Sequence, residues 1–167
     1  HEKRVGALAM AIAREMGFTV DRIEGVRVAA AVHDIGKIQV PAEILSRPGK
    51  LSDAEFALLK THPQAGCDIL SGFEFSWPIA TIIRQHHERM DGSGYPDGLR
   101  GEDILLETRV LMVADVVESM ASHRPYRPAH LLEEALEEMA SGRGTKYDAR
   151  VVDICLKLFR EKGYKLE

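Results

Sequence analysis

Seven side chains spread along the chain have the types needed to hold metal ions together: His1, His33, Asp34, His62, His86, His87 and Asp115. Imidazole nitrogen suits iron, zinc and manganese alike, and carboxylates such as Asp34 and Asp115 can bridge two cations and offset part of their charge. A mixed His and Asp set of this kind points to a centre with more than one ion. Read alone, any one of these histidines is more often a hydrogen-bonded core or surface residue. The adjacent pairs His33–Asp34 and His86–His87 argue against that reading, because neighbours on a helix point about 100° apart and seldom share one buried environment. Asp115 alone could be a buried carboxylate bonded to helix amides or to an arginine such as Arg109. Lys37, three residues after Asp34, is either a solvated surface lysine or a cation beside the metals, where it would meet a phosphoryl oxygen.

Two further groups could face a substrate. Asp91 to Gly101 carries four glycines and a proline, which is loop chemistry, and within it Gly94 and Tyr95 could line a cleft. Gly92 and Gly94 permit turns that other residues resist, Pro96 stiffens the exit, and Tyr95 either stacks on a ligand or packs over the cluster. Arg124 and Arg127 suit bidentate phosphate binding or, alternatively, surface ion pairs.

The elements that must bring these residues together read as helices. Val5, Leu8, Ala9, Ile12 and Met16 recur at helical spacing and stop at Gly17. The chain therefore opens inside a helix, and the expectation is a longer polypeptide with a regulatory domain upstream of His1. Asp21 is expected to cap a second helix ending near Gly36, with His33 and Asp34 in its last turn. Ser52 and Glu55 form a capping box, flanked by Leu51 and Phe56 as a hydrophobic staple, and Pro63 marks a restart just after His62. Ser76 is expected to open a helix leading to His86 and His87. Val110, Leu111, Val113, Ala114, Val117 and Met120 make an apolar helix around Asp115, and amphipathic helices over Ala129 to Ser141 and Asp148 to Lys162 complete an all-α bundle.

Composition narrows the class. The 167 residues, 45% of them hydrophobic, suit one domain spanning 1–167. A net charge of -4 gives no broad basic surface for a long nucleic acid. Cys67 and Cys155 match no metal-pair spacing and are too few for a disulfide framework. With no long apolar run or leader, the expectation is a cytoplasmic domain making no membrane contact.

The string His33-Asp34-Ile35-Gly36-Lys37, the segment from Pro41 through Gly49 to Glu55, His62, His86-His87-Glu88, Asp91-Gly92-Ser93-Gly94-Tyr95-Pro96, Val113-Ala114-Asp115 and Arg124-Pro125-Tyr126-Arg127 resemble, in order, the signatures of HD-GYP domains. The resemblance runs from His1 to about Phe159. It implies an HD-superfamily helical bundle with two or three transition-metal ions, usually iron or manganese, that hydrolyses cyclic di-GMP, with linear pGpG or GMP as the product. Carried over residue by residue, the ligands are the seven named above. Asp34 bridges, His33 and Asp115 serve one ion, His62, His86 and His87 the other, and His1 stands beside the first ion or on a third. Family members with three metals use a Glu one turn before the position of His1, so nuclearity stays open. A metal-bridging hydroxide would attack phosphorus in line while Lys37 stabilises the developing charge. The resemblance also implies fusion to sensor or receiver domains and contact with diguanylate cyclases, and it leaves a dimer open. The competing readings are hydrolysis of a mixed guanine-adenine cyclic dinucleotide or of another nucleotide, and a catalytically dead signalling module. The last should have lost ligands, and all seven positions are retained.

Overall fold

A computed structural model describes residues 1–122 and 132–166. Helices α1 (Glu2–Glu15), α2 (Val20–Val32), α3 (Ala42–Leu45), α4 (Asp53–Leu59), α5 (His62–Leu70), α6 (Ile79–Gln85), α7 (Leu106–Ala121), α8 (Leu132–Ser141) and α9 (Ala149–Arg160) are joined by short 3-10 helices at Ile35–Gln39 and Gly101–Asp103. Among the described residues there is no strand, only the isolated bridges Asp91–Arg100 and Arg143–Tyr147. The all-α expectation therefore holds.

The core is the meeting of helical stripes. Val5, Leu8, Ala9 and Ile12 of α1 pack with Ala29 and Ala30 of α2, Val110, Val113, Ala114 and Val117 of α7, and Val151, Val152 and Cys155 of α9. Apolar burial of this kind is the main force holding the helices together. Leu70, Ile82 and Ile83 extend the same core to α5 and α6. Both cysteines are free, Cys155 buried and Cys67 half-buried.

Several boundaries differ from the sequence reading. Gly17, at φ 79°, ends α1, and the next extended residue able to cap is Thr19, whose hydroxyl accepts from the Arg22 amide at 3.3 Å. Asp21 thus lies inside α2, and its carboxylate accepts instead from the Trp77 indole at 3.2 Å. The helix expected from Ser76 begins only at Ile79, capped by Pro78, because Trp77 turns down against Gly25. The Ser52–Glu55 capping box forms as expected, and α5 starts at His62 with proline in its first turn. Ala129 lies outside the described residues, and α8 is described from Leu132.

Gly36 does not end α2, which stops at Val32. It lies in the following 3-10 helix, where a Cβ would stand 1.9 Å from the His62 carbonyl oxygen and 2.5 Å from the Gly66 amide nitrogen. Glycine at that position lets the segment after Asp34 press against the first turn of α5. This approach brings Asp34 to His62.

Candidate metal centre

Each candidate ligand sits where a helix begins or ends, except Asp115, which lies within α7. His33 is the C-cap of α2, His62 the first residue of α5, and His86 the C-cap of α6. A repeated local device aims these three rings. Nδ1 of His33 donates to the Ala30 carbonyl at 2.8 Å, that of His62 to Leu59 at 2.7 Å, and that of His86 to Ile83 at 2.5 Å. Each bond ties the ring to a carbonyl in the last turn before it, and it leaves Nε2 as the lone-pair nitrogen of the neutral ring.

Those Nε2 atoms converge on Asp34. The carboxylate lies 3.6 Å from His33 Nε2, 3.5 Å from His62 Nε2 and 3.9 Å from His86 Nε2. On the His33 side, Asp115 is 3.7 Å from His33 Nε2 and 3.2 Å from His1 Nε2. His87 completes the other side, its ring centroid 4.1 Å from that of His86 and 5.0 Å from that of His62. Two groups result, Asp34–His62–His86–His87 and His1–His33–Asp115, each with ligand atoms within 4.8 Å of one another.

Two observations test whether these residues fit metal ions. His33 Nε2 and Asp34 Oδ1 are buried polar atoms with no hydrogen-bond partner, a costly condition unless a cation meets them. The Nε2 atoms of His62 and His86 face each other at 3.3 Å while both Nδ1 atoms donate to carbonyls. Lone pair would thus oppose lone pair unless a cation lies between. A proton is a poor candidate, because burial pushes the His86 pKa down to about 4, and burial also lowers His62. The residues fit metal ions.

Charge is distributed unevenly across the centre. Burial drives His87 well below its ordinary value. On the other side, the hydrogen bond to Asp115 raises His1 to about 9 against the opposing effect of burial, with Glu118 adding to it. Burial works against ionisation of Asp115, yet the hydrogen bond from His1 and the nearby His33 ring hold it well below the usual carboxylate range. Arg109, the cation considered for Asp115 from sequence, instead pairs with Asp148 at 3.1 Å. Lys37 lies in the 3-10 helix with its ammonium 2.5 Å from Asp34 Oδ2 and its side chain 34% exposed, so it touches both the cluster and the open side.

The glycine loop is held against the cluster by Glu88. This fully buried carboxylate accepts from the amides of Asp97 at 2.7 Å and Leu99 at 2.9 Å. Gly94 runs so close that a Cβ would lie 2.4 Å from the Glu88 backbone. Its backbone φ is not positive, so close approach, rather than a special turn, requires glycine there. The Tyr95 amide donates to the His87 carbonyl at 3.1 Å, and the two rings stack at 4.9 Å. Arg124 and Arg127 lie outside the described residues.

The sequence reading missed Glu118. This fully buried carboxylate hydrogen-bonds His1 Nδ1 and Ser122 and pairs with Arg4 at 2.7 Å. Its one sequence signal is its place three residues after Asp115 on the same helix, which aligns the two carboxylates on one face.

The family described as HD domain matches residues 1–151. The chain is 41% identical over 157 residues to the cyclic di-GMP phosphodiesterase response regulator RpfG of Xanthomonas campestris, covering 93% of this chain and 42% of that protein. It is 43% identical over 165 residues to a cyclic di-GMP phosphodiesterase of Thermotoga maritima, covering 96% of this chain and 44% of that one. The chain thus spans less than half the length of these curated relatives. Among solved structures, an HDG"Y"P protein from Bdellovibrio bacteriovorus superposes with a TM-score of 0.77 at 22% identity, over 96% of this chain and 51% of that one. Shared motifs, sustained identity and a common helical fold agree: the chain belongs to the HD domain family, in its HD-GYP branch.

Proposed function

We propose that this chain is the hydrolytic domain of a metal-dependent phosphodiesterase that opens cyclic di-GMP to linear pGpG, with GMP as a second product. The observation that carries this reading is the position of Asp34 between two groups of ligand atoms, with one of its oxygens and His33 Nε2 buried and unpartnered. The cyclic di-GMP phosphodiesterases among the relatives supply the substrate class.

In this reading His33, Asp115 and His1 would hold one ion and His62, His86 and His87 the other, iron or manganese in each case, with Asp34 within reach of both groups. Such ions lower the pKa of coordinated water and screen the phosphodiester charge. His62, His86 and His87, kept unprotonated by burial, have their lone pairs available at neutral pH. Water adds its oxygen to phosphorus as the opposite P–O bond breaks and the released oxygen takes up a proton, while Lys37, at the open edge of Asp34, stabilises charge on a non-bridging or leaving oxygen. The Tyr95 phenol, pushed up to about 12 by burial, stays protonated and offers a hydroxyl and a ring. Gly94 keeps that ring close to His87.

The test is metal analysis of protein purified without oxygen, coupled to turnover of cyclic di-GMP and of the mixed guanine-adenine dinucleotide. At least two transition-metal ions per chain and hydrolysis of cyclic di-GMP are expected. Asp34→Ala should lower the content of both ions, whereas Lys37→Ala should keep them and lose turnover. Full activity with one ion or none would defeat the reading, as would a fully loaded protein inert toward both dinucleotides.

A further inference from the structure

Helix α4 is firmly capped yet has no buried residue, and Phe56 on it is 43% exposed. Other apolar side chains are exposed as well, but this ring stands beside the candidate metal centre. Phe56 meets Tyr95 edge to face, with ring centroids 6.5 Å apart, and Tyr95 in turn stacks on His87. The Lys60 ammonium stands 4.7 Å from the Phe56 centroid and 5.3 Å from that of Tyr95. Lys60 has no carboxylate partner among the described residues. An aromatic surface with a cation thus runs from the candidate ligand His87 out to solvent.

We infer that Phe56 and Lys60 form with Tyr95 a nucleotide subsite, in which Phe56 stacks a purine base and Lys60 pairs with a phosphate of the same dinucleotide. The inference rests on the phosphodiesterase reading and extends it to α4, beside the glycine loop. Every purine offers a face for stacking, and loss of one base–ring contact on truncation costs about ten- to a hundredfold in affinity. Lys60 leaves its rings for a phosphate readily, because a cation held over an exposed ring is only weakly retained.

The experiment compares the metal-loaded parent with Phe56→Ala, Phe56→Tyr, Lys60→Ala and Lys60→Arg, measuring kcat and KM on cyclic di-GMP, calorimetric binding of pGpG, metal content and melting temperature. Both alanine variants should raise KM and weaken pGpG binding by about tenfold or more, with metal content and melting temperature at parental values. Phe56→Tyr and Lys60→Arg should restore most of the affinity. A parent that neither hydrolyses cyclic di-GMP nor binds pGpG overturns the functional reading and the subsite with it. An active parent whose alanine variants match it in KM and pGpG affinity overturns the subsite alone. Variants that lose metal or melting temperature together with KM reveal a packing role and overturn it as well.

Discussion

Gly36→Ala should disable the centre without altering any candidate ligand. The new Cβ would lie 1.9 Å from the His62 carbonyl oxygen and 2.5 Å from the Gly66 amide nitrogen, both backbone atoms that no side-chain rotation can clear. Contacts of a Cβ under 3.0 Å are essentially unknown, so the 3-10 helix has to withdraw from α5 by at least about 1 Å. Asp34 moves with that helix, and its 3.5 Å approach to His62 Nε2 opens accordingly. Misplacement on this scale costs on the order of a hundredfold in turnover, and overpacking a tight contact costs about 1–3 kcal/mol of stability. Metal content per chain, kcat on cyclic di-GMP and the melting temperature would all be measured. Gly72→Ala serves as the control, since nothing lies within 4 Å of a Cβ there. Full metal content and parental kcat in Gly36→Ala would show that the close approach does not position Asp34.

Metal-free protein should lose stability as pH falls from about 6.5 to about 4. Histidine in the unfolded chain titrates near 6.5 while burial holds His86 near 4, so in that window the unfolded state binds more protons and stability rises with pH. His86 alone contributes about 3 kcal/mol across the window, and His62 and His87 act in the same direction. Denaturant midpoints that stay flat from pH 4 to 6.5 would contradict this. His1, raised to about 9, has the opposite sign: its stabilisation is complete below about 6.5 and is lost as pH rises through 9. Glu118→Gln removes the carboxylate charge that backs His1 Nδ1 and should weaken one class of ion by about ten- to a hundredfold, leaving the other unchanged. Calorimetric titration of the metal-free variant tests it, and two classes of ion with parental affinities would refute it.

The candidate ligands were legible in the sequence because chemistry and periodicity coincide at them. His33, His62 and His86 stand where apolar helical repeats stop, and the pairs His33–Asp34 and His86–His87 are hard to place in a purely packed core. The fold gathers Asp34, His62, His86 and His87 into one group and His1, His33 and Asp115 into another. What periodicity could not show were contacts between distant segments. The 3-10 helix after Asp34 depends on Gly36 meeting α5, and the α6 start depends on Trp77 meeting Gly25. Phe56 read as half of a hydrophobic staple, because nothing local reveals that Tyr95 arrives beside it. Glu118 read as one more helical carboxylate, since its partners His1 and Arg4 come from the far end of the chain.

Glu88 ties the glycine loop at two amides, and it follows His86 and His87 directly in the chain. That wall of the cleft is therefore a fixed jamb, one piece with the cluster, and swinging it open would drag two imidazoles out of place.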